Sequence, residues 1–318
     1  MEEPDPAYGA HLMAYAGIPT FMHRQASRRL YGVDEAIVGI AFDSGASSFR
    51  SGTRFGPRKI REASLAIWGY NRILGVAPLE VMRIVDYGDV AVQPTDIQTT
   101  IEAITAEVGA LLDRGPKVIA LGGDHSITLP LLRAHAARLG QLAVVHFDSH
   151  ADTMEGRIDH GTPFRHAIEE GLIHRDAYIQ IGIRGPLLDS RELAAAESLG
   201  ARILPIEACF EMGMPSVIRT IQDLMGGRRV YVSLDIDAVD PAYAPGTGTP
   251  EIGGFTSYQM LQMVRGLAGL DLVGFDLVEV SPPYDAGEIT SILAANLAFE
   301  FLSLLAVNRL SSERRPAR

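Results

Sequence analysis

Leu142-Ala143-Val144-Val145-His146-Phe147-Asp148-Ser149-His150-Ala151-Asp152 is the segment around which this chain is organised. Leu142 to Val145 is a short, β-branched apolar run, the signature of a buried parallel strand. Asp148, His150 and Asp152 then fall at alternate positions. Alternate side chains of an extended segment share one side, so two carboxylates and an imidazole converge at the strand's end. Ligands of open α/β sheets bind beyond the carboxyl ends of strands. A solvated turn gives no reason for three polar groups to leave a buried strand in phase. Clusters of this kind point to metal binding or catalysis.

The same unit recurs along the chain. Apolar runs that read as strands lie at 36–42, 83–87, 118–121, 178–183, 202–206, 229–234 and 272–280. Helical patterns separate them: one opened by Gly56-Pro57, one capped by Asp96 with the stripe Ile97, Ile101, Ile104, Val108 and Leu111, and one from Ser126. Others cover 163–171, 190–198, 214–225, a helix capped by Thr256 that runs to 269, and 289–309. Alternating strands and helices predict an α/β fold with a largely parallel sheet. There is no linker and no repeat with a period of roughly 20–50 residues. The expected organisation is an N-terminal arm at 1–34, lying over the body or a neighbouring subunit, a single domain at 35–310, and a frayed tail at 311–318.

Composition narrows the function. Of 318 residues, 47% are hydrophobic and 21% charged, enough to fill a large core. The net charge of −11 argues against nucleic acid and anionic membranes, and suits a cationic substrate. The lone cysteine, Cys209, lies in an apolar context and reads as a packing residue. With no disulfide possible within the chain, a reducing, cytoplasmic setting is expected. The acidic N-terminus does not resemble a secretory signal, and no apolar run long enough to span a membrane is expected.

Polar residues gather at the strand exits. His125 follows the third strand, Asp148, His150 and Asp152 the fourth, and Asp235 and Asp237 the seventh. Four carboxylates at close range cannot all stay ionised unaided, and divalent cations remove that repulsion. Six such ligands suit two metals sharing bridging carboxylates, at about 3.5–4 Å separation. Oxygen and nitrogen ligands without sulfur favour Mn²⁺, with Ni²⁺, Co²⁺ or Zn²⁺ as alternatives. Asp124 and Asp240 read as cap or turn residues instead.

Three stretches carry a resemblance: Gly122-Gly123-Asp124-His125-Ser126, Asp148-Ser149-His150-Ala151-Asp152, and Ser233-Leu234-Asp235-Ile236-Asp237-Ala238-Val239-Asp240-Pro241. They look like the three metal signatures of the ureohydrolases, the arginase/agmatinase family. Gly52 to Pro57, Ala244 to Pro250 and Val278 to Pro282 match as well, so the likeness spans about 35–305. The resemblance implies a three-layer α/β/α sandwich around an eight-stranded parallel sheet. It also implies a binuclear Mn²⁺ centre at which a bridging hydroxide splits a guanidino group into an amine and urea. By this likeness one metal takes His125, Asp148, Asp152 and Asp235, and the other takes His150, Asp148, Asp235 and Asp237. Asp152 also orients the hydroxide, His160 matches a proton-shuttle histidine, and Glu279 matches the carboxylate that holds the guanidinium. A homotrimer or homohexamer is implied too.

The substrate is less sharply drawn. Asp152 is followed by Thr153-Met154, where arginase-type enzymes carry an Asn, so free arginine is disfavoured. Gly246 to Pro250 and Phe164 to Ala167 look more like the branch of agmatinases, guanidinobutyrases, guanidinopropionases and proclavaminate amidinohydrolases. The loop 154–159 is shorter than in those guanidino-acid enzymes, which predicts a wider pocket mouth. Arg157 on that loop is a candidate partner for a substrate carboxylate. The expectation is a linear guanidino acid or guanidino amine. A substituted small guanidine or biguanide is the alternative within this chemistry. A catalytically silent partner subunit and a metal-dependent deacylase are rivals outside it. Trp68, Tyr70 and Asn71, assigned to the first helix, read as core or interface.

Overall fold

In the computed structural model, residues 12–44, 50–187 and 189–313 are described. The elements run β1 (Glu35–Gly39), α1 (Gly56–Ser64), α2 (Pro78–Val81), β2 (Ile84–Asp89), α3 (Ile97–Leu112), β3 (Lys117–Leu121), α4 (Thr128–Leu139) and β4 (Leu142–Phe147). They continue with α5 (Pro163–Glu169), β5 (Ile173–Ile183), α6 (Glu192–Ser198), β6 (Arg202–Pro205), α7 (Ile206–Met212), α8 (Met214–Met225) and β7 (Arg229–Asp235). Then come α9 (Ser257–Arg265), β8 (Asp271–Val278) and α10 (Ile289–Glu313).

The eight strands form one sheet in the order β2-β1-β3-β8-β7-β4-β5-β6, and every pairing is parallel. The pleat divides each strand between two cores. Ile119 and Leu121 of β3 join the cluster that holds residues of α1, α8, α9 and α10. Val118 and Ala120 join the one that holds residues of α3, α4, α5 and α6. Helices therefore cover both faces, giving the expected three-layer α/β/α sandwich. The order also explains the position of the site: β3, β8, β7 and β4 are four adjacent central strands. Chain connections leave the sheet's middle in opposite directions there, which opens a crevice at the carboxyl edge.

Local signals place the helices. Asp96 accepts from the backbone N–H of Gln98 and Thr99, and Thr256 and Gln259 form a reciprocal capping box at α9. Pro57 sits in the first turn of α1.

Several expectations need correction. β5 begins at Ile173, because the polar His174-Arg175-Asp176 belongs to a strand and not to a loop. A helix absent from the sequence reading, α7, carries Cys209, whose thiol is fully buried and pushed up to about 12 by that burial. Seven residues give too short a pattern to show helical periodicity. α9 stops at Arg265, and α10 runs on to Glu313, so Ser311 and Ser312 are helical and not frayed. Residues 314–318 lie outside the described residues. Trp68, Tyr70 and Asn71 lie beyond the end of α1. Trp68 is 89% exposed and so is no core residue, whereas Asn71 is buried and donates to Glu300 Oε2 at 2.8 Å.

One helix, α10, is long and apolar enough to cross a membrane by length and composition, its most apolar window of 18 residues having a mean hydropathy of 1.8. That runs against the expectation of no such stretch. In the fold 83% of its most apolar part is buried inside the protein, and Phe301 stacks on Phe275 of β8 at 4.3 Å. Of the expected arm, residues 12–34 are described, and part of them packs on this chain's own body. The backbone N–H of Phe21 donates to Asp86 at 2.7 Å and that of Met22 to Ser64 Oγ at 2.8 Å.

Candidate metal centre

Each cluster sits where a central strand releases the chain. After β3 the path turns through Gly122 and Gly123, squeezed between the exits of β1 and β8. A Cβ on Gly123 would lie 1.8 Å from the carbonyl oxygen of Phe42, so no side chain fits there. Asp124 then caps the turn, accepting from Ser126 N–H at 3.1 Å and Ser44 N–H at 2.8 Å. Asp240 does the same elsewhere, accepting from the backbone of Ala242, Gly253 and Gly254. Both are the turn residues that their sequence context predicts.

His125 is fully buried. Its Nδ1 lies 2.9 Å from Asp152, 3.1 Å from Asp148 and 3.3 Å from Asp235. Three carboxylate oxygens therefore surround one ring nitrogen, yet that nitrogen has no partner in hydrogen-bond geometry. His150 lies in a second set, with Nδ1 3.1 Å from Asp237 Oδ2 and 3.6 Å from Asp148 Oδ1. Asp148 links the two sets, with Oδ2 toward His125 and Oδ1 toward His150. Asp235 Oδ1 accepts from the N–H of Asp237 at 2.8 Å, which locks the seventh-strand pair.

The six predicted ligands are thus brought together in two sets that share Asp148; Asp235, expected in both sets, turns Oδ2 toward His125 while its Oδ1 accepts the Asp237 N–H, so it joins the first set alone. The arrangement fits divalent cations. Burial, then the neighbouring Asp237 and Asp148, push the Asp235 carboxyl well above the usual carboxylate range. An unpartnered histidine nitrogen aimed among crowded carboxylates is the donor set of a divalent ion.

Glu279 follows β8, is 2% exposed, and faces the same space. Its Oε1 accepts from the N–H of His125 at 2.9 Å, and its own N–H donates to Gly123 at 2.9 Å. Burial, then Asp235 and Asp124, push its carboxyl well up. His160 places Nδ1 3.8 Å from Glu279 Oε1 and is partly exposed. Arg157 is exposed on the loop 154–159, and its guanidinium forms no ion pair among the described residues. Asp152 and Glu279 adopt left-handed backbone, φ 48° and 62°. Each such residue costs roughly 1–3 kcal/mol and persists where surrounding structure imposes it, typically at functional sites.

Four supporting residues escaped the sequence reading. His146, Ser233 and Asp276 are cross-strand neighbours on β4, β7 and β8, forming a polar row through an apolar sheet. Ser233 Oγ donates to Asp276 Oδ1 at 2.6 Å and lies 2.9 Å from His125 Nε2. With its hydrogen committed to Asp276, Ser233 accepts from His125 Nε2–H. That leaves the Nδ1 lone pair facing the carboxylates, the tautomer a metal ligand needs. Tyr231 and Thr128 also donate to Asp276, at 2.7 and 3.1 Å. His146 Nε2 lies 2.7 Å from Asp148 Oδ2, and its ring stacks on Phe164 at 3.9 Å. Arg184, 6% exposed, donates to the carbonyls of Asp237 at 2.6 Å and Glu251 at 2.7 Å. It ties the β5 exit to the β7 exit. The signal for Ser233 and His146 was phase: each stands two residues before a ligand. Ser233→Ala is expected to lower metal affinity by about 10–100-fold while the fold survives; metal titration followed by calorimetry checks it.

The sequence profile of the Arginase family matches residues 33–303. A guanidinobutyrase of Pseudomonas aeruginosa is 43% identical over 307 residues, covering 94% of this chain and 96% of that protein. A guanidinopropionase of the same organism is 41% identical over 310 residues, covering 96% and 97%. The solved structure of proclavaminate amidinohydrolase from Streptomyces clavuligerus superposes with a TM-score of 0.88 at 42% identity, covering 93% of this chain and 100% of that one. A family match across most of the chain, near-full-length relatives and a cluster of metal-ligating side chains at the sheet's carboxyl edge agree: the chain belongs to the arginase family of hydrolases.

Proposed function

We propose that this chain hydrolyses a guanidino acid to an amine and urea at a pair of divalent cations, Mn²⁺ first, with Ni²⁺ or Co²⁺ as substitutes. The observation that carries the reading is Asp148, which turns one oxygen to His125 and the other to His150. Two ligand sets sharing a carboxylate are what a two-metal hydrolase needs. Bound there, the ion pair supplies Lewis acidity and a water acidified toward neutral pH.

The chain's own residues supply the rest. A guanidinium is a delocalised cation and a poor electrophile. Pairing with Glu279 fixes its carbon in the crevice. Glu279 is already held by the His125 N–H, so little ordering remains to be done when substrate arrives. Asp152, 2.9 Å from His125 Nδ1, is placed to orient the attacking water. Water's oxygen bonds to the guanidino carbon, the C–N bond to the substrate tail breaks, and the departing amine takes a proton. His160, part-exposed beside Glu279, is placed to deliver it. Relatives named guanidinobutyrase and guanidinopropionase support a carboxylate-bearing tail. Arg157, exposed on the loop after Asp152, is the cation that would meet it.

Urea release from 4-guanidinobutyrate, 3-guanidinopropionate, agmatine, arginine and a dialkylated guanidine, with Mn²⁺ and then Ni²⁺, tests this. The guanidino acids are expected to show the highest kcat/KM. Arg157→Ala is expected to raise their KM by about tenfold, roughly 1.4 kcal/mol, and to leave that of agmatine unchanged. Faster turnover of agmatine or the dialkylated guanidine would remove the guanidino-acid assignment. Silence across the panel in metal-loaded protein would remove the reaction.

A further inference from the structure

The sheet has a second polar cavity at its amino-terminal edge, opposite the metal cluster. It is open to solvent and has a volume of about 1050 Å³. Glu35, Lys117 and Asp271, the first residues of β1, β3 and β8, line it. Glu35 is 4% exposed, and its Oε2 is buried without a hydrogen-bond partner. A buried, unsatisfied carboxyl oxygen is expensive, and a native fold keeps one only with a reason.

Two of the three cations that line the cavity are committed elsewhere, and the third is Arg114. Lys117 is the direct cross-strand neighbour of Glu35, yet its ammonium donates to the carbonyl of Leu272 at 2.7 Å. Arg309 pairs with Asp34. Burial, unrelieved by a bonded cation, pushes the Glu35 carboxyl up to about 8. A bare divalent ion does not fit. Among the described residues, groups of three converging ligand atoms occur only at the other edge of the sheet. The lining also carries apolar side chains, Met82, Leu272 and Leu305. A compact hydrogen-donating head with a short hydrocarbon tail matches both features. A primary ammonium fits a single unpartnered oxygen better than the forked guanidinium, which seeks two oxygens at once.

We propose that this cavity binds a small primary alkylammonium ion, its N–H groups donating to Glu35 Oε2 and its chain lying along Met82, Leu272 and Leu305. The site is defined by Glu35 and does not depend on the catalytic reading. An amine released at the far edge is of this class, as is any free alkylamine.

Calorimetry with n-butylammonium at about pH 8, where an alkylamine is still cationic, tests it on the full chain. Binding is expected to persist in Glu279→Gln and to weaken at least tenfold in Glu35→Gln, whose urea-releasing activity stays at the wild-type level. Loss of all binding in Glu279→Gln, or wild-type affinity in Glu35→Gln, would overturn the proposal. A ligand series on the unsubstituted cavity keeps the test independent of whether Glu35→Gln folds. In Glu279→Gln, n-butanol lacks the charge and butyltrimethylammonium lacks the N–H. Both are expected to bind at least tenfold more weakly than n-butylammonium. Equal binding of either would show that Glu35 is not what the cavity recognises with, and the assignment would fall.

Discussion

Asp148→Asn is expected to lower metal content from two ions per chain to one or fewer and to cut urea release by about 10³-fold or more, beyond the 10–100-fold that outer partners usually carry. The amide keeps the shape of the side chain, and its oxygen can still accept the His150 N–H bond that Asp148 Oδ1 now accepts at 2.6 Å. What it loses is charge on the one side chain shared by both ligand sets. It also puts an NH₂ where one set needs a lone pair. Metal analysis of the dialysed variant, beside a thermal melt that confirms folding, decides the matter. Two ions bound at wild-type affinity would mean that Asp148 does not join the two sets.

Glu279→Gln is expected to separate binding of metal from binding of substrate. Glu279 contacts His125 through the backbone N–H and not through the ring, so the metal set should survive. The amide oxygen of Gln can accept the same N–H. The guanidinium, however, would enter a buried crevice without its counter-charge. Removing one member of a buried ion pair costs about 3–5 kcal/mol, which corresponds to a loss of roughly 10²–10⁴ in kcat/KM. Steady-state kinetics with the best guanidino substrate, together with metal content, read both halves. A kcat/KM within a few-fold of wild type would move the guanidinium site away from Glu279.

The candidate ligands were legible in the chain because a strand's side chains alternate. Asp148, His150 and Asp152 announce themselves by phase alone, as do Asp235 and Asp237. The capping residues Asp96 and Thr256 were legible for a similar reason: a cap is an interaction with the next turn. Short range also explains the failures. α7 was too brief to establish a period, and the polar start of β5 imitated a loop. Of the two readings of Trp68, core or interface, 89% exposure past the end of α1 removes the first.

The order of residues determined the α/β alternation, the strand exits and the identity of the six candidate ligand side chains, since each depends on neighbours a few positions away. Tertiary structure alone decided that β3, β8, β7 and β4 stand side by side, so that residues from across the chain share one crevice. It also set the register that lines up His146, Ser233 and Asp276, and so the tautomer of His125. It left Glu35 beside a lysine that turns away. Strand order and register arise from how crossover helices pack on the two faces, a competition among distant apolar surfaces that no local spacing records.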